Sequence, residues 1–245
     1  MNNDKPILTL PTFLDKLWGL TLGKRTLFRG QREDCTLLPR IARNLSPEKV
    51  ERIEQQMLQE FRARSIPYLN LPPKDDEQWD WLAIAQHYGM ATRLLDWTDN
   101  ALAALWFAVC KEPEPGSPGV VWVFRVPQSE ITTPEESPSP FELDRTAVFR
   151  PKHLTRTIIA QGGWFTAHKL VDKRKGFIPL ERISRLRSYL HKLHIHPHAF
   201  QDLRRQLALC GMNQASMFPG PERVCDHLNE LYATPTRRRP CKRPE

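Results

Sequence analysis

The sequence predicts an α+β fold: a single domain over about residues 5–233, with a mixed or antiparallel sheet core flanked by helices, and a basic tail at 234–245. Three observations predict it. Residues 119–126 and 92–97 are short apolar runs bounded by turn signals, and the first is rich in β-branched and aromatic residues, as buried strands are. Other stretches, such as 47–65, set apolar residues at helical spacing behind a capping signal. Strands and helices also succeed one another with no internal repeat.

Taken in order, residues 8–20 read as a strand end and then an amphipathic helix, capped by Thr12, with Leu14, Leu17 and Trp18 on its face. Residues 25–31 form a strand that delivers Arg29 to its end, and Gly30 there permits close backbone approach. Residues 37–43 are a turn or short helix presenting Arg40 and Arg43. Ser46-Pro47-Glu48 starts a helix that runs through Val50, Ile53, Met57, Leu58 and Phe61 until Pro67 ends it.

The stretch 79–109 is helix, turn, strand, helix. Trp81, Leu82, Ile84 and Ala85 give an apolar stripe that stops at Gly89. Asp99 or Asn100 then caps a helix whose face is Leu102, Leu105, Trp106 and Val109. The junctions hold Gln86, His87, Tyr88, Arg93, Asp96 and Thr98, and polar groups there need partners because unpaired buried charge is costly. Either an internal Arg93–Asp96 network ties the turn together or a ligand site lies at the seam.

Residues 127–144 are acidic and carry four prolines, which predicts an exposed, mobile loop. Residues 156–166 read as two strands joined at Gly162-Gly163, with Gln161 at the shoulder. A strand near 190–195, a helix from Pro197 to Gly211 and a last helix over 219–232, with Val224, Leu228 and Leu231 on one face, complete the chain.

A hydrophobic content of 40% with 26% charged residues is ordinary for a soluble globule, and no window is apolar enough to span a membrane. The first residues lack an apolar signal core, so a cytoplasmic location is expected. Five cysteines without a CxxC pair point to free thiols and away from zinc. The cluster His191, His194, His196 and His198 matches no closed tetrahedral spacing, so no metal site is expected. The net charge is +8, and five tail cations against Glu245 supply half of it. A second basic run, 173–205, sets Lys173, Arg174, Lys175, Arg182, Arg185, Arg187, Lys192, Arg204 and Arg205 against Glu181 and Asp202. That surplus makes nucleic acid the expected partner, with Lys173, Arg174, Lys175, Arg185 and Arg187 as candidate contacts.

P-loop, GxGxxG, GxSxG and HExxH motifs are all missing. Instead Phe28-Arg29-Gly30-Gln31, Leu38-Pro39 with Arg43, Gln86-His87-Tyr88-Gly89 running into Thr92–Thr98, and Ala104–Ala108 resemble, in order, the FRG domain family. The resemblance continues through Arg156, Gln161, Gly163 and Phe165 to Phe218-Pro219. Ala91 stands where that family usually has Pro.

An aromatic-Arg-Gly at a strand end also resembles the first motif of the Arg-Ser-Glu class of ADP-ribosyltransferases. That likeness implies an ADP-ribosyltransferase-like core using NAD as a substrate. It implies Arg29, Asp96 and Gln161 as catalytic residues, and Arg29, Gln31, His87, Tyr88, Arg93, Trp97 and Thr98 around the dinucleotide. For Trp97 and Tyr88, core packing is the alternative. The expected acceptor is a macromolecule, RNA ahead of DNA or protein. Unchecked transfer endangers the host cell, which implies a toxin of a toxin–antitoxin or phage-defence system with an antitoxin or chaperone partner. A non-catalytic nucleic-acid- or nucleotide-binding module, with Arg29 and Arg93 as phosphate clamps, and an NAD hydrolase are the competing expectations.

Overall fold

The computed structural model describes residues 5–21, 25–113, 116–152, 156–172 and 176–233. The predicted basic tail and Lys173, Arg174 and Lys175 lie outside the described residues. The elements are α1 (Leu10–Thr21), β1 (Thr26–Gln31), α2 (Arg40–Asn44), α3 (Pro47–Ser65), α4 (Gln78–His87), β2 (Leu94–Thr98), α5 (Ala101–Val109), β3 (Gly119–Arg125), β4 (Ala147–Phe149), α6 (Arg156–Ala160), β5 (Gly163–Ala167), β6 (Leu170–Asp172), β7 (Gly176–Phe177), α7 (Ser184–Arg187), β8 (Leu190–Ile195), α8 (Phe200–Leu209), α9 (Gln214–Met217) and α10 (Pro221–Tyr232).

Six strands form one antiparallel sheet in the order β4-β5-β2-β1-β3-β8, as the α+β reading requires. Side chains alternate across it. Phe28, Val121, Val123, Leu193 and Ile195 point to the face covered by α1, α5 and α8. Leu27, Leu95, Trp97, Val120, Trp122 and Phe124 point to the opposite face, under Leu37, Leu180 and Leu186. On the β4–β5–β2 side, Leu94, Phe149 and Phe165 pack on Trp79, Trp81 and Leu82 of α4 and Leu58 of α3.

The joints are unequal. β1 and β3 pair over six registers and β2 and β5 over five, whereas β1 meets β2 at a single pair, Phe28↔Thr98. Beyond that pair the two strands splay, and the sheet opens between the Arg29–Gln31 end of β1 and the Leu94–Asp96 half of β2.

Several expectations are corrected. In α1 the buried residues are Leu10, Phe13 and Leu17, while Leu14 and Trp18 face out, and the hydroxyl of Thr9, not Thr12, lies over the first turn. Ser46 starts α3 by conformation alone, since its side chain makes no capping bond. The first predicted strand of 156–166 is the helix α6, which buries Ile158 and leaves Ile159 exposed. The 127–144 segment is tied down: Thr132 N donates to Val148 O at 2.8 Å, Ser137 O accepts from Trp79 Nε1 at 2.7 Å, and Glu130 is buried. Other expectations hold. Asn100 caps α5 through Leu102 N and Ala103 N, Gly89 closes α4 at φ +94°, and β8 runs Leu190–Ile195. No described helix is long and apolar enough to cross a membrane, and Cys35, Cys110, Cys210 and Cys225 carry free thiols.

His168, just past β5, is wholly buried, and burial drives its pKa from 6.5 to about 3. The folded state therefore holds this imidazole neutral at pH values where the unfolded chain protonates it. Between about pH 6.5 and 3 the unfolded state binds the extra proton, so stability falls as pH falls. The slope from this one group reaches about 1.4 kcal/mol per pH unit. Urea unfolding of His168→Gln from pH 7 to 4, compared with the native chain, should show a shallower acid decline; parallel curves would contradict this account.

Candidate functional site

The opening between β1 and β2 is a cavity of about 550 Å³ lined by Phe28, Arg29, Gly30, Gln86, His87, Asp96, Trp97, Thr98, Phe107, Gln161 and Phe218. All three expected catalytic residues, Arg29, Asp96 and Gln161, therefore share one hollow. So do His87, Trp97 and Thr98. A hollow of the same size under the 128–147 segment gathers Glu136, Glu142 and Asp144 and none of the motif residues.

Each wall has a local cause. β1 ends where its partner has splayed, so the Arg29 side chain turns into the gap. Its Nη1 donates to Asp96 O at 2.7 Å and lies 3.6 Å from Asp96 Oδ2. The guanidinium thus replaces a missing rung of the ladder. Its Nε is buried without a protein partner. Burial lowers the Arg29 pKa, with Asp96 opposing the shift, but a guanidinium stays charged.

Gly30 explains how α5 comes so near. A Cβ at that position would sit 1.9 Å from Ala104 O and 2.8 Å from Ala108 N. With hydrogen alone there, the helix backbone rests on the strand and carries Phe107 to the cavity.

α4 is buried without a break from Trp79 to Ala85, with Asp80 as the one charged residue in that stretch, which anchors it rigidly. Its last turn presents Gln86 and His87. Gln86 Nε2 donates to Asp96 Oδ2 at 3.1 Å. Burial lowers the His87 pKa, with Asp96 pulling the other way, so the ring is neutral at pH 7. Thr98 donates to Gln161 O, and Gln161 Nε2 donates to Met217 O at 3.0 Å. That bond draws the α9 segment over the opening, where Phe218 packs edge-to-face on Trp106 and Phe107 at 5.9 and 6.1 Å.

Three expected contacts lie elsewhere. Arg93 is buried, with its Nε 2.8 Å from Glu54 Oε2 and its backbone N 2.6 Å from Glu54 Oε1. Its guanidinium also stacks over Phe141 at 4.6 Å. The Arg93–Asp96 network does not form, because the Arg93 guanidinium lies inside the core against Glu54 and outside the cavity lining. Gln31 lies on the same face of β1 as Arg29 but outside the cavity lining, where its Oε1 accepts from Trp122 Nε1 at 2.9 Å. Tyr88 is exposed, edge-on to His87, so neither cavity lining nor core packing describes it. Trp97 is a core residue whose Nε1 donates to Thr166 Oγ1 at 3.1 Å, and it also forms part of the cavity wall.

Sequence reasoning assigned no site role to the lining residues Phe28, Gly30, Gln86, Phe107 and Phe218. Gln86 was visible in its motif but carried no charge to single it out. Phe107 and Phe218 depend on a helix contact and on the Gln161–Met217 bond.

The basic run is partly neutralised by distant acids. Arg185 pairs with Glu130 at 3.1 Å and donates to Thr146 O, Lys192 pairs with Asp34 at 2.6 Å, and Arg204 pairs with Glu112. Arg182 and Arg187 are exposed, have no ion-pair partner among the described residues, and line a groove with Lys192 and Trp122. Among the described residues no group of three His, Cys, Asp or Glu is placed to hold a metal. His196 and His198 instead pack edge-to-face, and His194 lies 3.4 Å from Asp34.

No curated protein and no solved structure matches the chain. Residues 24–116 match the family model of the FRG domain. That span holds β1, α4, β2 and α5, hence Arg29, Gln86, His87 and Asp96 on the cavity wall, and the match supports the FRG family for this chain.

Proposed function

We propose that this chain is an NAD-dependent ADP-ribosyltransferase with an ADP-ribosyltransferase-like core, that the β1–β2 opening holds the dinucleotide, and that RNA is the acceptor. One observation carries the reading. A cation, a carboxylate and a terminal amide, remote in sequence, meet in one aromatic-walled cavity of about 550 Å³, a size usual for small-molecule sites.

The reaction breaks the bond between the nicotinamide nitrogen and ribose C1′. The electron pair leaves with the ring, C1′ gains oxocarbenium character, and the acceptor adds there and loses a proton. Arg29 suits the pyrophosphate, since guanidinium donors match phosphate oxygens. Asp96, open on one side to solvent, stabilises positive charge at C1′ or takes the acceptor's proton. Neutral His87 can bond a ribose hydroxyl, and Gln161 orients the ribose or the acceptor. Phe107 and Phe218 offer apolar surface to a flat ring.

Incubation with labelled NAD and total cell RNA, DNA or protein tests this. Label on RNA is the expected result, with Arg29→Ala and Asp96→Asn each lowering transfer about 100-fold or more while unfolding normally. Free ADP-ribose alone would make the chain a hydrolase. No turnover in any arm would end the enzymatic reading and leave a nucleotide-binding module. Expression without a partner protein should halt growth, as expected of a cytoplasmic toxin normally held by an antitoxin, and Asp96→Asn should restore it.

For the acceptor, Arg182 and Arg187 are the exposed cations of the basic run without an ion-pair partner among the described residues. Replacing both by Ala should weaken RNA binding across sequences and flatten its dependence on log salt by about 0.7 for each phosphate no longer neutralised. An unchanged slope would remove this groove from the RNA path.

A further inference from the structure

Both amide ends of Gln86 are committed. Thr92 Oγ1 accepts from Leu94 N at 3.1 Å, so its own hydroxyl hydrogen is free to donate to Gln86 Oε1, 2.7 Å away. Nε2 of the same amide then faces Asp96 Oδ2 at 3.1 Å. The reverse orientation would set a carbonyl oxygen against an ionised carboxylate, which accepts only. Thr92 is fully buried two residues before β2, and Gln86 lies on the last turn of the buried α4, so both anchors are rigid. Arg29 grips the backbone of Asp96 from the other side through Nη1.

We infer that Gln86 is a positioning residue: backed by Thr92, it holds the Asp96 carboxylate in one rotamer, with one oxygen bonded to the amide and the other directed to the cavity. The assignment rests on reading Asp96 as the acid–base group of the site. The device suits that role. An exposed carboxylate otherwise samples several rotamers, and a donor that reaches only one oxygen leaves the second available to a substrate cation or proton. The charged or titratable groups facing this carboxylate are Arg29 from β1 and His87 from α4; α5 and the α9 segment contribute Phe107 and Phe218.

The test is a carboxyl-carbon NMR titration of Asp96, identified by its loss in Asp96→Asn, in the full chain and in Gln86→Leu, Gln86→Glu and Thr92→Val. Removing a hydrogen bond to the charged form should raise the Asp96 midpoint by about one pH unit in Gln86→Leu. A second carboxylate in Gln86→Glu should raise it further, and Thr92→Val should fall between the native chain and Gln86→Leu. Gln86→Glu keeps side-chain length and the bond from Thr92, so it reports even if Gln86→Leu does not fold.

In the labelled-NAD assay, Gln86→Leu should lower kcat with little change in KM. The acid limb of the pH profile should move upward in step with the titration. Identical Asp96 midpoints in the native chain and in both Gln86 variants would overturn the assignment. If the native chain turns over no NAD, the enzymatic reading fails on its own, and the titration still decides whether Gln86 governs Asp96.

Discussion

Gly30→Ala should yield a chain that fails to reach the native fold or melts far below the native temperature. The added methyl would lie 1.9 Å from Ala104 O, and both surfaces in that contact are backbone. No side chain can swing aside, so α5 must lift from β1. The cost should exceed the ~1–3 kcal/mol usual for overpacking. α5 also carries Phe107 and buries Ala104, Leu105 and Ala108, so the lift would loosen one cluster and open the cavity together. Gly89→Ala is the control. Its φ of +94° makes alanine strained there, but nothing lies within 4 Å of the added carbon, so the loss should be about 1–2 kcal/mol. Thermal melts of the two variants should separate widely; equal melts would show that the α5–β1 contact yields easily.

Glu54→Ala should destabilise by about 3–5 kcal/mol, the cost of stranding one member of a buried ion pair. Arg93 would lose its bond at 2.8 Å and its backbone acceptor at 2.6 Å while remaining inside the core. Burial raises the Glu54 pKa with Arg93 opposing, so the carboxylate depends on its partner as well. Glu54→Leu with Arg93→Met, which removes both charges, should recover most of the loss. Denaturant midpoints of the single and double variants decide the matter. A single variant as stable as the native chain would mean that solvent reaches the Arg93 guanidinium.

These two effects also show which parts of the molecule could be read in the sequence. Gly30 stood out because a strand has few reasons to contain glycine. Arg29 and Asp96 stood out because charge at the end of a short apolar strand needs a purpose, and both reach the cavity. Asn100 and Gly89 signalled helix ends through local chemistry, and local chemistry decided them.

Glu54 could not be read in the same way. It sits amid the polar residues of α3, and only packing turns it inward to a partner 39 positions away. The partial neutralisation of the basic run was hidden for a similar reason, since Asp34, Glu112 and Glu130 come from outside it. Ile158-Ile159 suggested a strand, yet a helix turn buries one and exposes the other. Arg93 and Gln31, neighbours of the true lining residues, are drawn away by partners remote in sequence, Glu54 and Trp122.

The lone Phe28↔Thr98 rung has a mechanical meaning. It divides the sheet into two leaves, β8–β3–β1 and β2–β5–β4, and the seam between them is the most sparsely paired joint of the sheet. A molecule that touches Arg29 on one leaf and Asp96 on the other would stitch that seam. Amide exchange along both leaves should then slow on loading, at strands that never meet the occupant.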